Sequence, residues 1–292
     1  MDRTKAVACL SVLLLASCAR RPAIVVGSKN FTEQVVLGEI LAQHLERRLG
    51  VRVERKLNLG GTLLAHEALV AGAIDLYPEY TGTALTAVLK QAPFPGAGAV
   101  LAAVRARYHR QWGLTWLPPL GFNNTFAMMI RGQTAREERL ATLSDAARSH
   151  PWKVAAGYEF QQRPDGLQGL LRTYGLRLQG DPVIMDLGLL YAALESRQAD
   201  MIAANSTDGL ASVHDVAILR DDRRYFPPYE CAVVVREATL ARFSGLREAL
   251  EELSGKLSDA AMRQLNYSVD GRRLTAAQVA AGFLDARPPV PR

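Results

Sequence analysis

Ala73-Ile74-Asp75-Leu76-Tyr77-Pro78-Glu79-Tyr80-Thr81-Gly82-Thr83 passes from a short apolar run into two aromatic rings, a proline and two hydroxyls, then turns at a glycine. Ala73 to Leu76 reads as a buried strand, and Ala84-Leu85-Thr86-Ala87-Val88-Leu89 reads as a helix. A strand that ends this way and opens a helix makes a ligand-facing edge. The ring faces suit a cation, and the hydroxyls and helix N-terminus suit an anion. A zwitterion would satisfy both; satisfied tyrosines in a plain loop are the competing interpretation.

The same strand-loop-helix unit recurs upstream. Ala23-Ile24-Val25-Val26-Gly27 reads as a strand, and Ser28 to Gln34 as the turn after it, with Asn30 and Glu33 spaced as a capping pair. Val36, Leu37, Ile40, Leu41, His44 and Leu45 then follow a helical period. Val51 and Val53 mark a second strand, and Gly60-Gly61-Thr62 opens a helix from Leu63 to Ala71. A βαβαβ run with short loops predicts a parallel sheet. Its loops at 28–34, 60–62 and 77–83 gather at the carboxyl ends of the strands, where open α/β sheets bind ligands.

A second run begins at Trp152-Lys153-Val154-Ala155-Ala156 and continues through Pro164-Asp165-Gly166, a helix over 186–196 and a strand at Asp200–Ala204. Asn205-Ser206-Thr207-Asp208-Gly209 closes it, in the role that Thr81-Gly82 plays in the first run. Two α/β lobes of one architecture follow, with crossings near Leu120–Phe126 and Pro227-Pro228-Tyr229. Helices over 239–257, 259–267 and 275–286 return the chain to the first lobe. The expected division is residues 23–122 with 230–292 for lobe 1 and 123–229 for lobe 2.

The chain has 292 residues with 35 Lys and Arg against 29 Asp and Glu, a net charge of +6. Its basic residues are scattered rather than gathered into an aromatic-interleaved patch, which argues against nucleic-acid binding. Met1 to Lys5 is charged and Ala6 to Ala16 is apolar but shorter than the roughly 20 residues of a membrane span. Residues 1–17 therefore read as a signal peptide. Leu15-Ala16-Ser17-Cys18 is similar to the lipobox of bacterial lipoproteins, which makes Cys18 the lipidation site, residues 18–22 a tether, and the location the periplasm or cell exterior on a membrane anchor. Of three cysteines only Cys231 then remains, so no intramolecular disulfide is expected. Hydrolase, zinc and phosphate-loop motifs are missing from the sequence and the five histidines are dispersed. No enzyme activity, metal or cofactor is expected, although Glu79 and Asp208 could meet across a cleft as an acid/base pair.

Six segments together closely resemble the osmoprotectant (glycine betaine/choline/carnitine) substrate-binding proteins of ABC transporters. They are Gly27 to Gln34, Gly60-Gly61-Thr62, Ile74 to Thr83, Phe122-Asn123-Asn124-Thr125, Ser206-Thr207-Asp208-Gly209 and Phe226-Pro227-Pro228-Tyr229. The resemblance covers almost all of the chain after Cys18. It implies a type II periplasmic-binding-protein fold, two lobes on a two-stranded hinge, and closure around one small ligand. It implies delivery of that ligand to a permease driven by a cytoplasmic ATPase, by a protein expected to be monomeric. A quaternary ammonium has no N–H to donate, so aromatic faces are its natural partner. By motif position Tyr77 and Tyr229 match cage residues, Phe126 sits where the family often has a ring, and Asn205 stands where cage-bearing members place Tyr. Gln34, Thr62 and Thr81 match the carboxylate or hydroxyl end, and Asn30, Asn123 and Thr207 belong to the same motifs. Several also have a packing alternative: Tyr77 capping a strand, Tyr229 packing beside the hinge prolines, Phe126 in the core, Asn205 and Thr207 forming a turn, Asp208 capping a helix. A sensor built on the same lobes, and an enzyme on a similar fold, are the other functional classes.

Overall fold

In a computed structural model, residues 23–286 are described; the expected signal peptide, Cys18 and the tether lie outside them. Two five-stranded mixed sheets organise the molecule. The first contains β1 (Ala23–Gly27), β2 (Arg52–Lys56), β3 (Leu76–Tyr80), β4 (Leu114–Trp116) and β10 (Cys231–Arg236) in the order β2-β1-β3-β10-β4. The second contains β5 (Phe126–Arg131), β6 (Val154–Ala156), β7 (Val183–Ile184), β8 (Met201–Asn205) and β9 (Val216–Ile218) in the order β7-β6-β8-β5-β9. β1, β2 and β3 run parallel, as the βαβαβ pattern predicts, and β10 enters antiparallel beside β3. β6 to β8 repeat the parallel core, with β5 antiparallel beside β8.

Strand alternation divides each interior in two. Ile24, Val26, Leu76 and Val235 face α1 (Thr32–Leu49) and the C-terminal helices. Tyr77 and Val234 face the opposite way, onto α2 (Thr62–Val70) and the helix Ala97–Trp112. The C-terminal helices pack on α1, so the end of the chain completes the first lobe.

The chain passes between the sheets at residues 117–125 and 219–230. These segments pair with each other where Asn123 bridges Glu230, and the Asn124 amide donates to the Tyr229 carbonyl at 3.1 Å. Gly82 makes this junction close. A Cβ there would lie 2.7 Å from both the Pro228 carbonyl oxygen and the Tyr229 ring, so a side chain would force the hinge away from lobe 1.

Four local expectations differ from the structure. The strand expected at Ala73–Leu76 starts at Leu76 and runs through Tyr80. Pro78 is tolerated within it because pairing to β1 is confined to Val26 and Leu76, so its missing N–H falls beyond that ladder. The helix after Thr83 takes π geometry over Ala84–Val88. Asn30 does not cap α1: Phe31 holds the N-cap position without a side-chain bond, and Glu33 is engaged elsewhere. The helix expected over 239–257 breaks into Glu237–Arg242 and Leu246–Glu251, because Gly245 takes a left-handed conformation (φ 75°). Among the described residues no helix is long and apolar enough to cross a membrane. Cys231, on β10, is a free and fully buried thiol.

Candidate functional site

A cavity of about 900 Å³ lies between the lobes. Its walls come from the loops that follow β1, β3, β6 and β8, from the hinge residues Asn124, Phe126 and Tyr229, and from the C-terminal helix Asp259–Asp270. Rings dominate one part of the lining. Phe31 stacks near Tyr80 at 6.3 Å between centroids, and Phe126 lies 4.8 Å from Phe160 and 5.9 Å from Tyr229.

Two buried cations of the protein already sit over these rings. Lys29 Nζ is 4.6 Å from the Tyr80 centroid and 5.9 Å from that of Phe31. Arg163 Cζ is 5.0 Å from Phe126 and 5.9 Å from Tyr229. Lys29 is held by Glu79 at 2.6 Å, with both side chains almost fully buried. Arg163 grips Asp165 through Nε at 2.9 Å and Nη2 at 2.6 Å. Removing one partner of a buried pair typically costs about 3–5 kcal/mol, so neither cation leaves its ring cheaply. Burial alone would raise the Asp165 carboxyl, but the Arg163 guanidinium and the Tyr229 hydroxyl, which donates to Asp165, hold it below the usual range.

Glu33 is the most heavily bonded group of the cavity wall. It accepts from the Tyr80 hydroxyl at 2.6 Å, Thr207 Oγ1 at 2.6 Å, Asn124 Nδ2 at 2.8 Å and Asn266 Nδ2 at 3.1 Å. Burial pushes its carboxyl up, against the pull of these four donors. The donors come from lobe 1, lobe 2 and the hinge, so one carboxylate ties the three together. Asp208 also lines the cavity; burial pushes it up to about 7, with the charges of Glu33 and Asp270 adding to the shift. Its side chain does not cap the following turn but accepts from the Asn205 amide at 3.2 Å and from the Tyr191 hydroxyl at 3.4 Å.

Lobe 2 also reaches across to lobe 1. Glu159 accepts from both the backbone N–H and the hydroxyl of Thr62, the latter at 3.0 Å, at the first turn of α2. A carboxylate there satisfies donors left free at a helix start and complements the dipole. Arg163 Nη1 donates to Thr83 Oγ1 at 3.1 Å, and Arg263 donates to the Ser206 carbonyl at 3.1 Å. The lobes are thus bridged by Thr62–Glu159, Thr83–Arg163 and Ser206–Arg263.

Of the ten ligand-contact candidates from the sequence, four line the cavity: Asn30, Phe126, Asn205 and Tyr229. The others sit behind the wall or beside it. Tyr77 lies in the lobe 1 interior, where its hydroxyl donates to Glu79 at 3.1 Å; Tyr80, three residues on, carries the ring that reaches the cavity. Gln34 is buried and accepts from the Lys29 amide at 3.2 Å. Thr62 meets Glu159, and Thr207 meets Glu33. Thr81 Oγ1 donates to the Pro228 carbonyl at 3.1 Å, and Asn123 Oδ1 accepts from the Tyr229 amide at 2.7 Å, so both brace the hinge. Glu79 and Asp208 are not brought together, since Glu79 is sealed against Lys29. Sequence reasoning missed Lys29, Glu33, Arg163 and the Asn266–Asp270 wall. Arg163 and Asp165 flanking the proline of a helix-opening loop were the available signal. Among the described residues no cluster of His, Cys, Asp and Glu has metal-site geometry.

The model of the substrate binding domain of ABC-type glycine betaine transport systems, OpuAC, matches residues 22–286. A glycine-betaine-binding protein of Pseudomonas aeruginosa is 35% identical over 97% of this chain and 93% of its own length. The ergothioneine transport permease/ergothioneine binding protein EgtU of Helicobacter pylori is 33% identical over 90% of this chain, which spans 47% of that longer relative. A crystal structure of a glycine betaine/carnitine/choline ABC transporter protein superposes with a TM-score of 0.76 at 30% identity, covering 90% of this chain and 97% of that one. The paired sheets, the hinge and the interlobe cavity are those of a type II periplasmic binding protein, and the chain belongs to the OpuAC family, as the substrate-binding component of an ABC-type transport system.

Proposed function

We propose that the protein captures a small cationic or zwitterionic amine between its lobes outside the cytoplasm and presents the closed complex to its permease. The observation that carries this reading is the interlobe cavity, ringed by Phe31, Tyr80, Phe126, Phe160 and Tyr229 and bridged by contacts from both lobes. Aromatic walls with a few buried polar groups are what a small charged ligand needs when it leaves water. Tyr229, Phe126, Asn205 and Asn30 are the contacts supported by both motif and placement, whereas Tyr77, Gln34, Thr62, Thr81, Asn123 and Thr207 act from behind by fixing the wall and hinge. Lipidation at Cys18, supported by Leu15-Ala16-Ser17-Cys18, tethers a monomeric body to the membrane.

The ligand leaves unchanged, because the cleft acids are bonded to the scaffold rather than poised in pairs. A thermal-shift screen against glycine betaine, choline, carnitine, ergothioneine and amino acids tests the reading. A true ligand at a hundred times its Kd adds about 2.7 kcal/mol of stability, and mass spectrometry should recover it intact. Stabilisation by no amine, or turnover of one, overturns the proposal.

A further inference from the structure

We propose that the closed protein seats its permease on an apolar rim made by both lobes, with Leu63 and Leu64 from the first and Tyr158 and Leu189 from the second. This rests on the reading that the closed complex is what the permease receives.

The two lobes expose leucines at the same point of one plan. In lobe 1 the edge strand β2 leads into α2, whose second and third residues, Leu63 and Leu64, are 53% and 60% exposed. In lobe 2 the equivalent edge strand β7 leads into the turn Leu187–Leu189, whose last residue is 56% exposed. The core is served by other residues of these segments: Ala65, His66 and Leu69 in α2, and Leu190 after the turn. Neither stretch carries charge from Leu57 to Ala65 or from Leu187 to Leu194, in a chain of which 22% is charged. Scattered exposed leucines are ordinary, whereas contiguous apolar surface with a polar border marks an interaction site. Glu67 and Asp186, both exposed, supply that border.

Closure makes the surface contiguous. Thr62, next to Leu63, donates its N–H and its hydroxyl to Glu159, next to Tyr158. A Cβ on Gly61 would lie 2.5 Å from Glu159 Oε1, and one on Gly157 would lie 2.7 Å from Leu187 Cδ2. The start of α2, the Gly157–Glu159 loop and the Leu187–Leu189 turn therefore touch one after another. With the lobes apart, the link from Thr62 to Glu159 is lost and the apolar halves separate. The rim also frames a place where the cavity reaches solvent. Gly61, Tyr158, Leu187 and Gly188 line the cavity, yet the Tyr158 side chain is 60% exposed. A ligand released there passes directly to whatever covers the rim. A second copy of the chain would stopper that opening, while a permease needs the ligand delivered at it. An uncharged rim asks for apolar side chains on the permease, and matched positions on two lobes fit a partner that offers the same contact twice.

Leu64→Ser and Leu189→Ser test the rim one lobe at a time, and neither residue lines the cavity. Each variant should bind glycine betaine, choline or carnitine within twofold of wild type in calorimetry, which also shows that it is folded. Leu63→Ser repeats the lobe 1 arm. Uptake is then read with the same radiolabelled amine at saturating concentration, in cells of the native host deleted for the protein and restored with equal amounts of each variant. It should fall at least tenfold for each serine variant. Leu64→Met and Leu189→Met keep the surface apolar and should stay within threefold of wild type. Ile218→Ser, exposed on the opposite edge of the second sheet, should leave uptake unchanged. Full uptake with the serine variants, a loss that Ile218→Ser shares, or a loss that follows weakened amine binding overturns the rim while leaving amine capture standing. A wild-type dimer in light scattering that Leu64→Ser dissolves gives the rim to a second copy and overturns the permease assignment. Wild type that binds none of the three amines overturns amine capture, and this inference with it.

Discussion

At the scale of single residues, Glu33 has the most to lose from a small change. Its two oxygens receive four donors, so an amide in its place would turn one end into a donor facing donors. Glu33→Gln should cost about 1–3 kcal/mol of stability, read from denaturant unfolding, although volume and polarity barely change. Tyr77 and Tyr229 make a second comparison. Tyr229→Leu should weaken ligand binding at least tenfold in calorimetry, and Tyr77→Phe should change it less than twofold, because Tyr77 faces α2 and not the cleft. The motif drew attention to this strand through Tyr77, whereas the ring of the strand that lines the cavity is that of Tyr80. In a strand, side chains alternate between faces, and a boundary shifted by a few residues leaves that parity undefined. Sequence reading ended the strand at Leu76, whereas it continues to Tyr80 and delivers that later ring to the cavity. The buried ion pairs were illegible for a related reason: Lys29 and Glu79 are 50 residues apart and only the β1–β3 pairing brings them together.

At the scale of elements, α2 begins with no cap from its own segment, since Gly61 has no side chain to give. Glu159 supplies the cap from the opposite lobe. Losing an N-cap costs about 0.5–2 kcal/mol, and here the loss falls on the closed arrangement alone. Glu159→Ala should therefore weaken ligand binding by roughly 2- to 30-fold, as that range converts. Small-angle scattering should also show a larger radius of gyration at subsaturating ligand. An unchanged affinity would remove Glu159 from closure. The strand-to-helix loops were readable because apolar spacing switches from strand to helix at glycines and threonines. The helix Asp259–Asp270 was readable as a helix, but its place in the cavity wall was not. Its contribution of Asn266 and Asp270 depends on packing against the turn Gly209–Ser212, a contact between segments with no sequence relation.

At the scale of the whole molecule, the duplicated α/β plan was visible in the order of elements, because each lobe repeats the same parallel core. What closure does to charge was not. Asp208 sits between the lobes with its carboxyl pushed up to about 7 by burial, with Glu33 and Asp270 adding to the effect. The folded state therefore binds a proton more tightly than the unfolded chain, where the value is near 3.8. Stability from this group is fully present below that value and is lost as pH rises towards about 7, by at most about 1.4 kcal/mol per unit. Unfolding of wild type and Asp208→Asn between pH 4 and 8 should show the wild type losing stability relative to the variant across that window and running parallel above it. A constant difference at all pH values would assign the shift to other groups. Finally, Cys231 is sealed within β10. With Cys9 and Cys18 replaced, the chain offers maleimides no native target. Cysteines introduced at the exposed positions Arg52 and Ile218, one on each lobe and neither lining the cavity, would then take a donor and acceptor dye pair whose energy transfer follows the jaws molecule by molecule.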